Sequence, residues 1–251
     1  MSFADTSFIL LDSVDSTNNY AMAKAHAGLA KHGDAFFAFN QTGGKGQREK
    51  KWHTGNGQNI AISIVTAPTL LTIDEQFKLS AAVALGCFDF FSTYAGEEET
   101  KIKWPNDIYW RDRKAGGVLI ENIIGRSATG SNWKFAVLGI GINVNDTSFE
   151  NGLQNAVSLK QITGKQFDVV ALAKELRQLV LKRIAAITLV PFQEILAQYN
   201  AHLFKANETV QLKRGNIVFN TTIKNVTEKG QLFTVDRIDN LFDFGEVEWL
   251  L

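Results

Sequence analysis

The chain has 251 residues, 45% of them hydrophobic, and its 26 Lys+Arg balance 26 Asp+Glu. That length buries a sizeable core, as one large domain or a large and a small one. Zero formal charge argues against general nucleic-acid binding, and no apolar run is long enough for a transmembrane helix. Ser2, Asp5 and Thr6 interrupt any charged-then-apolar leader, so no signal peptide is expected. Cys87 is the single cysteine, which rules out an internal disulfide and fits a reducing cytoplasm. Four scattered histidines make a protein-held transition-metal site unexpected.

In chain order, residues 8–14 read as a strand, and Asp15-Ser16-Thr17-Asn18 punctuates before a helix over 19–30. A short buried strand at 35–39 enters a glycine-rich basic loop, and a strand at 59–65 leaves it. Thr72-Ile73-Asp74-Glu75 is a capping box opening a helix with Phe77, Ala81, Ala84, Phe88 and Phe91 on one face. Strands follow at 102–104, 118–124 and 135–144. Asp168 caps a helix with Val169, Leu172, Leu176 and Leu179 inward, and Pro191 starts another reaching about His202. From Lys205 onward the texture changes to short strands at 209–212, 217–223, 232–236 and 245–250, a small β-barrel in outline.

The segment from Gln41 to Trp52 holds three glycines, four basic side chains and a tryptophan. Glycine permits close backbone approach, the cations suit a phosphate or carboxylate, and the indole offers a face to an aromatic base. The P-loop and dinucleotide fingerprints both fail here: no Gly-Lys-Ser/Thr is present, and Glu49 stands where a third glycine belongs. Lys103-Trp104-Pro105-Asn106-Asp107 is either a plain turn or a rigid strand end that aims Asn106 and Asp107 into a cleft. Lys114 precedes Gly116-Gly117, which is either a hairpin turn or a close-approach strand. Gly139 and Gly141 alternate, so one strand face lacks side chains and a flat ring can lie there; a tight strand crossing is the other reading. Cys87 lies within an apolar helix and reads as core.

These segments in this order resemble biotin protein ligases: Ser16-Thr17-Asn18, the basic loop ending in Trp52, Lys103 to Asp107, Lys114-x-x-Gly117-Val118-Leu119, and Gly139-x-Gly141-x-Asn143. The resemblance implies an α+β fold. Its catalytic domain, over 1–204, would be like that of class II aminoacyl-tRNA synthetases, a mixed sheet flanked by helices. A small C-terminal SH3-like β-barrel over 205–251 would complete it. It also implies a two-step reaction in which biotin and Mg-ATP give biotinyl-5′-AMP and pyrophosphate, and a lysine of a biotin carboxyl carrier protein domain then takes the biotinyl group. Magnesium is expected on the ATP phosphates and not in a protein cage.

By the same resemblance Lys114 bridges the biotin carboxylate and the α-phosphate, and Asp107 orients or deprotonates the incoming amine. Ser16, Thr17, Asn18, Gln41, Gly44, Lys45, Gly46 and Gln47 correspond to biotin-pocket and loop positions, with Lys45 also assisting catalysis. Gly117 and Leu119 match the ureido-binding segment. Arg48, Trp52, Asn106 and Asn143 match nucleotide contacts. Because the first strand starts near Phe8, the form without an N-terminal DNA-binding domain is expected; neither nucleic acid nor membrane is an expected partner, and a homodimer is left open. The loop departs from the family: Lys45 and Gln47 stand where arginines are usual, and lysine lacks the bidentate fork. A faster leak of the adenylate is therefore expected. The rival readings are a lipoate or octanoyl transferase and a sensor without turnover.

Overall fold

The computed structural model describes residues 7–47, 52, 54, 56–127, 130–149 and 155–250. Its strands are β1 (Phe8–Val14), β2 (Ala35–Gln41), β3 (Ile60–Thr66), β4 (Thr100–Lys103), β5 (Asp107–Trp110), β6 (Arg113–Ser127) and β7 (Gly130–Ile142), followed by β8 (Thr209–Arg214), β9 (Ile217–Val226), β10 (Leu232–Val235), β11 (Asp239–Phe242) and β12 (Glu248–Leu250). The helices are α1 (Thr17–His26), α2 (Gln76–Ala95), α3 (Leu159–Thr163), α4 (Val169–Ala186) and α5 (Phe192–Ala201).

β1 to β7 form one mixed sheet in the order β1-β2-β3-β7-β6-β5-β4. β1 and β2 run parallel through the α1 crossover, and the remaining described pairs are antiparallel. β3 is buried at all seven positions, as its near-continuous apolar run requires of a central strand. Its side chains alternate between two environments. Ile60, Ile62 and Ile64 join Leu79 and Val83 of α2 and Leu176 and Val180 of α4 in the main core. On the opposite face Val65 packs with Phe36, Val137 and Ala21 of α1. Ser63 and Ala61 share that second face, as do Gly139 and Gly141 of β7 and Gly117 and Leu119 of β6, by strand alternation and register. Two helices therefore seal one side of the sheet, while the α1 side carries the glycine-rich strip where the candidate residues gather.

β8 to β12 form a five-stranded antiparallel sheet in the order β11-β10-β9-β8-β12, an SH3-like unit. It is tied to the larger sheet by specific bonds. Trp104 Nε1 donates to the Gly230 carbonyl at 2.9 Å, and Asn200 bonds both the amide and the carbonyl of Val226 at 2.7 and 3.0 Å.

Several local expectations change. Gly116 and Gly117 lie inside β6, opposite Ile142 and Gly141, so the hairpin-turn reading fails. α1 starts at Thr17 and ends at His26, four residues short of its expected end, because Gly28 takes a positive φ of 71° that stops the helix. β5, α3 and β11 lack the apolar alternation that would have announced them; each has five residues or fewer and is fixed by its neighbours. The capping box at Thr72 is present, although it opens a short 3₁₀ turn, Ile73–Glu75, ahead of α2.

Candidate functional site

The polar side chains on the α1 side form a connected series. Gln41, at the end of β2, accepts through Oε1 from the Thr17 backbone amide at 2.8 Å. It thus caps α1 from a distance: the N-cap falls within the Asp15–Asn18 segment as expected, at Ser16, which is buried and makes no side-chain cap bond among the described residues. The Gln41 amide in turn donates to Thr54 Oγ1 at 3.0 Å. Ser63 Oγ lies 2.8 Å from Thr17 Oγ1 and 2.5 Å from Asn18 Oδ1. Asn18 Nδ2 donates to Glu121 Oε2 at 2.8 Å, with the Leu119 carbonyl at 3.5 Å. Beside this series Asn19 donates to Asp15, and that bond, reinforced by the Ser16 amide, holds the Asp15 carboxyl below the usual carboxylate range.

Glycine makes the packing possible. A Cβ on Gly139 would stand 2.3 Å from Asn18 Oδ1, and one on Gly141 would stand 2.3 Å from the Trp52 ring. The side-chain-free slot is real, but its occupants are Asn18 and the protein's own indole. Trp52 Nε1 is buried with no hydrogen-bond partner among the described residues.

The basic loop enters from β2. Gly43 N donates to the Asp15 carbonyl, and Trp52 N donates to the Gly44 carbonyl at 2.9 Å, closing the base of the loop. Lys45 Nζ lies 3.6 Å from Glu121 Oε1. Gly46 is partly buried next to it. Gln47 Nε2 donates to Asn106 Oδ1 at 2.7 Å and to the Val118 carbonyl at 2.9 Å. Where charge was expected, this chain therefore has a neutral amide tethering the loop to β6 and to the Trp104–Asp107 turn. Arg48 lies outside the described residues.

That turn links β4 to β5, as one reading of the segment had it, and Asp107 opens β5. Its Trp104–Pro105 peptide is cis. Tyr199, fully buried on α5, donates its hydroxyl to the Pro105 carbonyl at 2.7 Å, and burial pushes that phenol well above its usual range. The turn leaves Asn106 buried and Asp107 in β5. Lys114 Nζ meets Asp107 Oδ2 at 2.6 Å, both side chains partly open at 36% and 25%. The pair lies over Gly117, whose added Cβ would fall 2.7 Å from Asp107 Oδ1 and 3.2 Å from Lys114 Nζ. The Lys114 backbone is clamped by Asn155 and Val157. Asn143 is buried and donates to the Val157 carbonyl at 3.2 Å and the Lys114 carbonyl at 3.4 Å, so its amide braces the lysine's strand.

Two lysine–carboxylate pairs thus sit on β6, Lys114–Asp107 toward one end and Lys45–Glu121 toward the other, with the glycine strip between. Sequence reading gave four contributors no role: Ser63, Thr54, Glu121 and Tyr199. Ser63 was detectable as the one hydroxyl within the run Ile60–Val65; Tyr199 carried no signal separable from core.

The model of the "Biotin/lipoate A/B protein ligase family" matches residues 10–143. "Bifunctional ligase/repressor BirA" of Bacillus spizizenii is 35% identical over 164 residues, covering 64% of this chain and 48% of that protein. "Biotin--[acetyl-CoA-carboxylase] ligase" of Paracoccus denitrificans is 31% identical, covering 63% and 65%. The chain spans about half the length of the BirA proteins it matches. Among solved structures, "Biotin protein ligase from Aquifex aeolicus in complex with biotin and ATP" superposes with a TM-score of 0.81 at 23% identity, over 97% of this chain and 98% of the other.

Proposed function

Because the chain belongs to the biotin/lipoate A/B protein ligase family, we propose that it is an ATP-dependent biotin protein ligase. The observation that carries this is the Lys114–Asp107 pair, seated over Gly117 on the strand that also borders the Thr17–Asn18–Ser63 polar series. In the first step the biotin carboxylate attacks the α-phosphorus of ATP, the bond to the β-phosphate oxygen breaks, and pyrophosphate leaves. Two anionic groups must approach, and the Lys114 ammonium neutralises both, acting on charge that develops in the transition state. Lys45 and Gly46 of the loop, with Ser16, Thr17, Asn18, Gln41 and Gly44, hold the biotin end; Gly117 and Leu119 offer backbone groups to the ureido ring.

In the second step an amine of a biotin carboxyl carrier protein domain attacks the anhydride carbonyl, AMP leaves, and an amide forms. The amine must lose a proton, and Asp107 is the acceptor nearest the reacting end once Lys114 turns to the phosphate. Trp52, Asn106 and Asn143 border the nucleotide side. Asp107 and Glu121 each face a lysine, which fits a magnesium ion that would be carried on the ATP phosphates and would offset their charge.

The catalytic unit is assigned to 1–204 and the SH3-like unit to 205–251. The balanced charge supports an enzyme that needs no nucleic acid, and the lone buried Cys87 supports a cytoplasmic location. No helix among the described residues is long and apolar enough to cross a membrane. The deciding experiment is ATP–pyrophosphate exchange driven by biotin, lipoate or octanoate, with Lys114→Ala beside the wild type. Exchange with biotin alone, lowered at least ~100-fold in the variant, is expected. Exchange with lipoate would move the chain to the sister activity, and biotin binding without exchange would make it a sensor.

A further inference from the structure

We infer that Glu121 is a positioning residue of the biotin pocket: it sets the orientation of the Asn18 amide and steers Lys45 from the same carboxylate. The argument rests on the ligase reading for the ligand's identity and on geometry for everything else. The two oxygens of Glu121 are divided between two elements. Oε2 accepts from Asn18 Nδ2 at 2.8 Å, and Oε1 faces Lys45 Nζ at 3.6 Å.

Asn18 is 3% exposed, on the floor made by Gly139. A buried amide can present its carbonyl or its NH2 in either of two directions, and its neighbours decide which. Ser63 Oγ touches Asn18 Oδ1, but a hydroxyl donates or accepts equally well and would tolerate the flipped amide. The Leu119 carbonyl lies at 3.5 Å, the limit of a hydrogen bond. An ionised carboxylate accepts and never donates. Among the described residues Glu121 is therefore the one contact of Asn18 that both is close and has a fixed sense. It forces Nδ2 toward β6 and Oδ1 toward β3, and leaves the Leu119 carbonyl weakly engaged and able to take a donor from a ligand ring. The Lys45 contact is longer and more exposed, and it serves to hold the loop cation over the same end of the strip.

The test compares Glu121→Met, which removes the acceptor at similar length, with Glu121→Gln, which keeps one acceptor oxygen without the charge, each in the intact chain. Biotin KM in ATP–pyrophosphate exchange should rise about tenfold in Glu121→Met with kcat lowered less than about threefold, and Glu121→Gln should recover to within about threefold of wild type. In an Asn18→Ala background, Glu121→Met should add less than about twofold. A KM for Glu121→Met within about twofold of wild type would overturn the proposal. So would Glu121→Gln being no better than Glu121→Met, or effects of Asn18 and Glu121 that multiply. If the wild type exchanges nothing with biotin, the ligase assignment falls, and the role of Glu121 is then decided without ligand. Solvent exchange of the Asn18 side-chain amide protons, followed by NMR, should speed up about tenfold in Glu121→Met; an unchanged rate would sink the proposal.

Discussion

Gly139→Ala probes the site where its packing is tightest. The added methyl would begin 2.3 Å from Asn18 Oδ1, 2.8 Å from Cγ and 2.9 Å from Nδ2, whereas ordinary contact begins near 3.4 Å. The Asn18 head must therefore retreat by about 1.1 Å, or β7 must move. Around Gly139, β7 is paired in register with Ser63 of β3 and Leu119 of β6, so the side chain gives way. Asn18 is anchored at 2.5 Å to Ser63 and at 2.8 Å to Glu121, and a shift of that size carries at least one bond beyond hydrogen-bond range. Losing a charge-assisted bond and straining a neutral one costs about 3 kcal/mol, or about 100-fold in affinity if the pocket needs Asn18 in place. Calorimetric titration with biotin checks this. Gly28→Ala is the control: it strains a positive φ, unlike Gly139→Ala, and its methyl meets no atom of the described residues within 4 Å, so it should lower the unfolding temperature without touching affinity. A biotin affinity of Gly139→Ala within twofold of wild type would refute the claim that Asn18 belongs to the pocket.

Three other outcomes are expected. Gln47→Arg should slow release of biotinyl-AMP several-fold, because a cation replaces a neutral tether near the phosphates; release no slower than wild type, measured by rapid filtration, contradicts this. Trp104→Phe should lower stability by about 1 kcal/mol in urea unfolding through loss of its bond to Gly230, and an unchanged midpoint would mean the two units dock without it. His202 stacks on Phe88 at 3.9 Å, and burial pushes its imidazole below the ordinary 6.5 despite Glu97 nearby. The unfolded chain therefore binds the proton first. Stability is full above pH 6.5 and falls as pH drops below it, and His202→Phe should flatten a plot of unfolding midpoint between about pH 7.5 and 5.5. Equal slopes in the two proteins would assign that pH dependence elsewhere.

Much of the architecture was legible in the chain because its signals are local. The run Ile60–Val65 reads as a strand on apolarity alone, Asp168 caps α4 through two backbone amides as its residue type suggests, and Gly139-x-Gly141 marks a strand face without side chains. Short elements resisted: β5 and β11 are held by strand partners and not by their own pattern.

The site divides in the same way. The basic loop stood out by its charge and glycines, whereas Lys114, Asp107 and Asn18 were nameable through the family resemblance that the order of the segments carries. What lies in the glycine slot was not, because that depends on Trp52 and Asn18 crossing from other segments. Nor was the change in Gln47 from a missing charge to a tether on Asn106 and Val118, or the joining of Ser63 and Glu121 through Asn18. Sequence order fixes which groups a strand offers on each face; which of them meet across 45 or 103 residues is decided by strand register and by the few ångströms that a hydrogen bond allows.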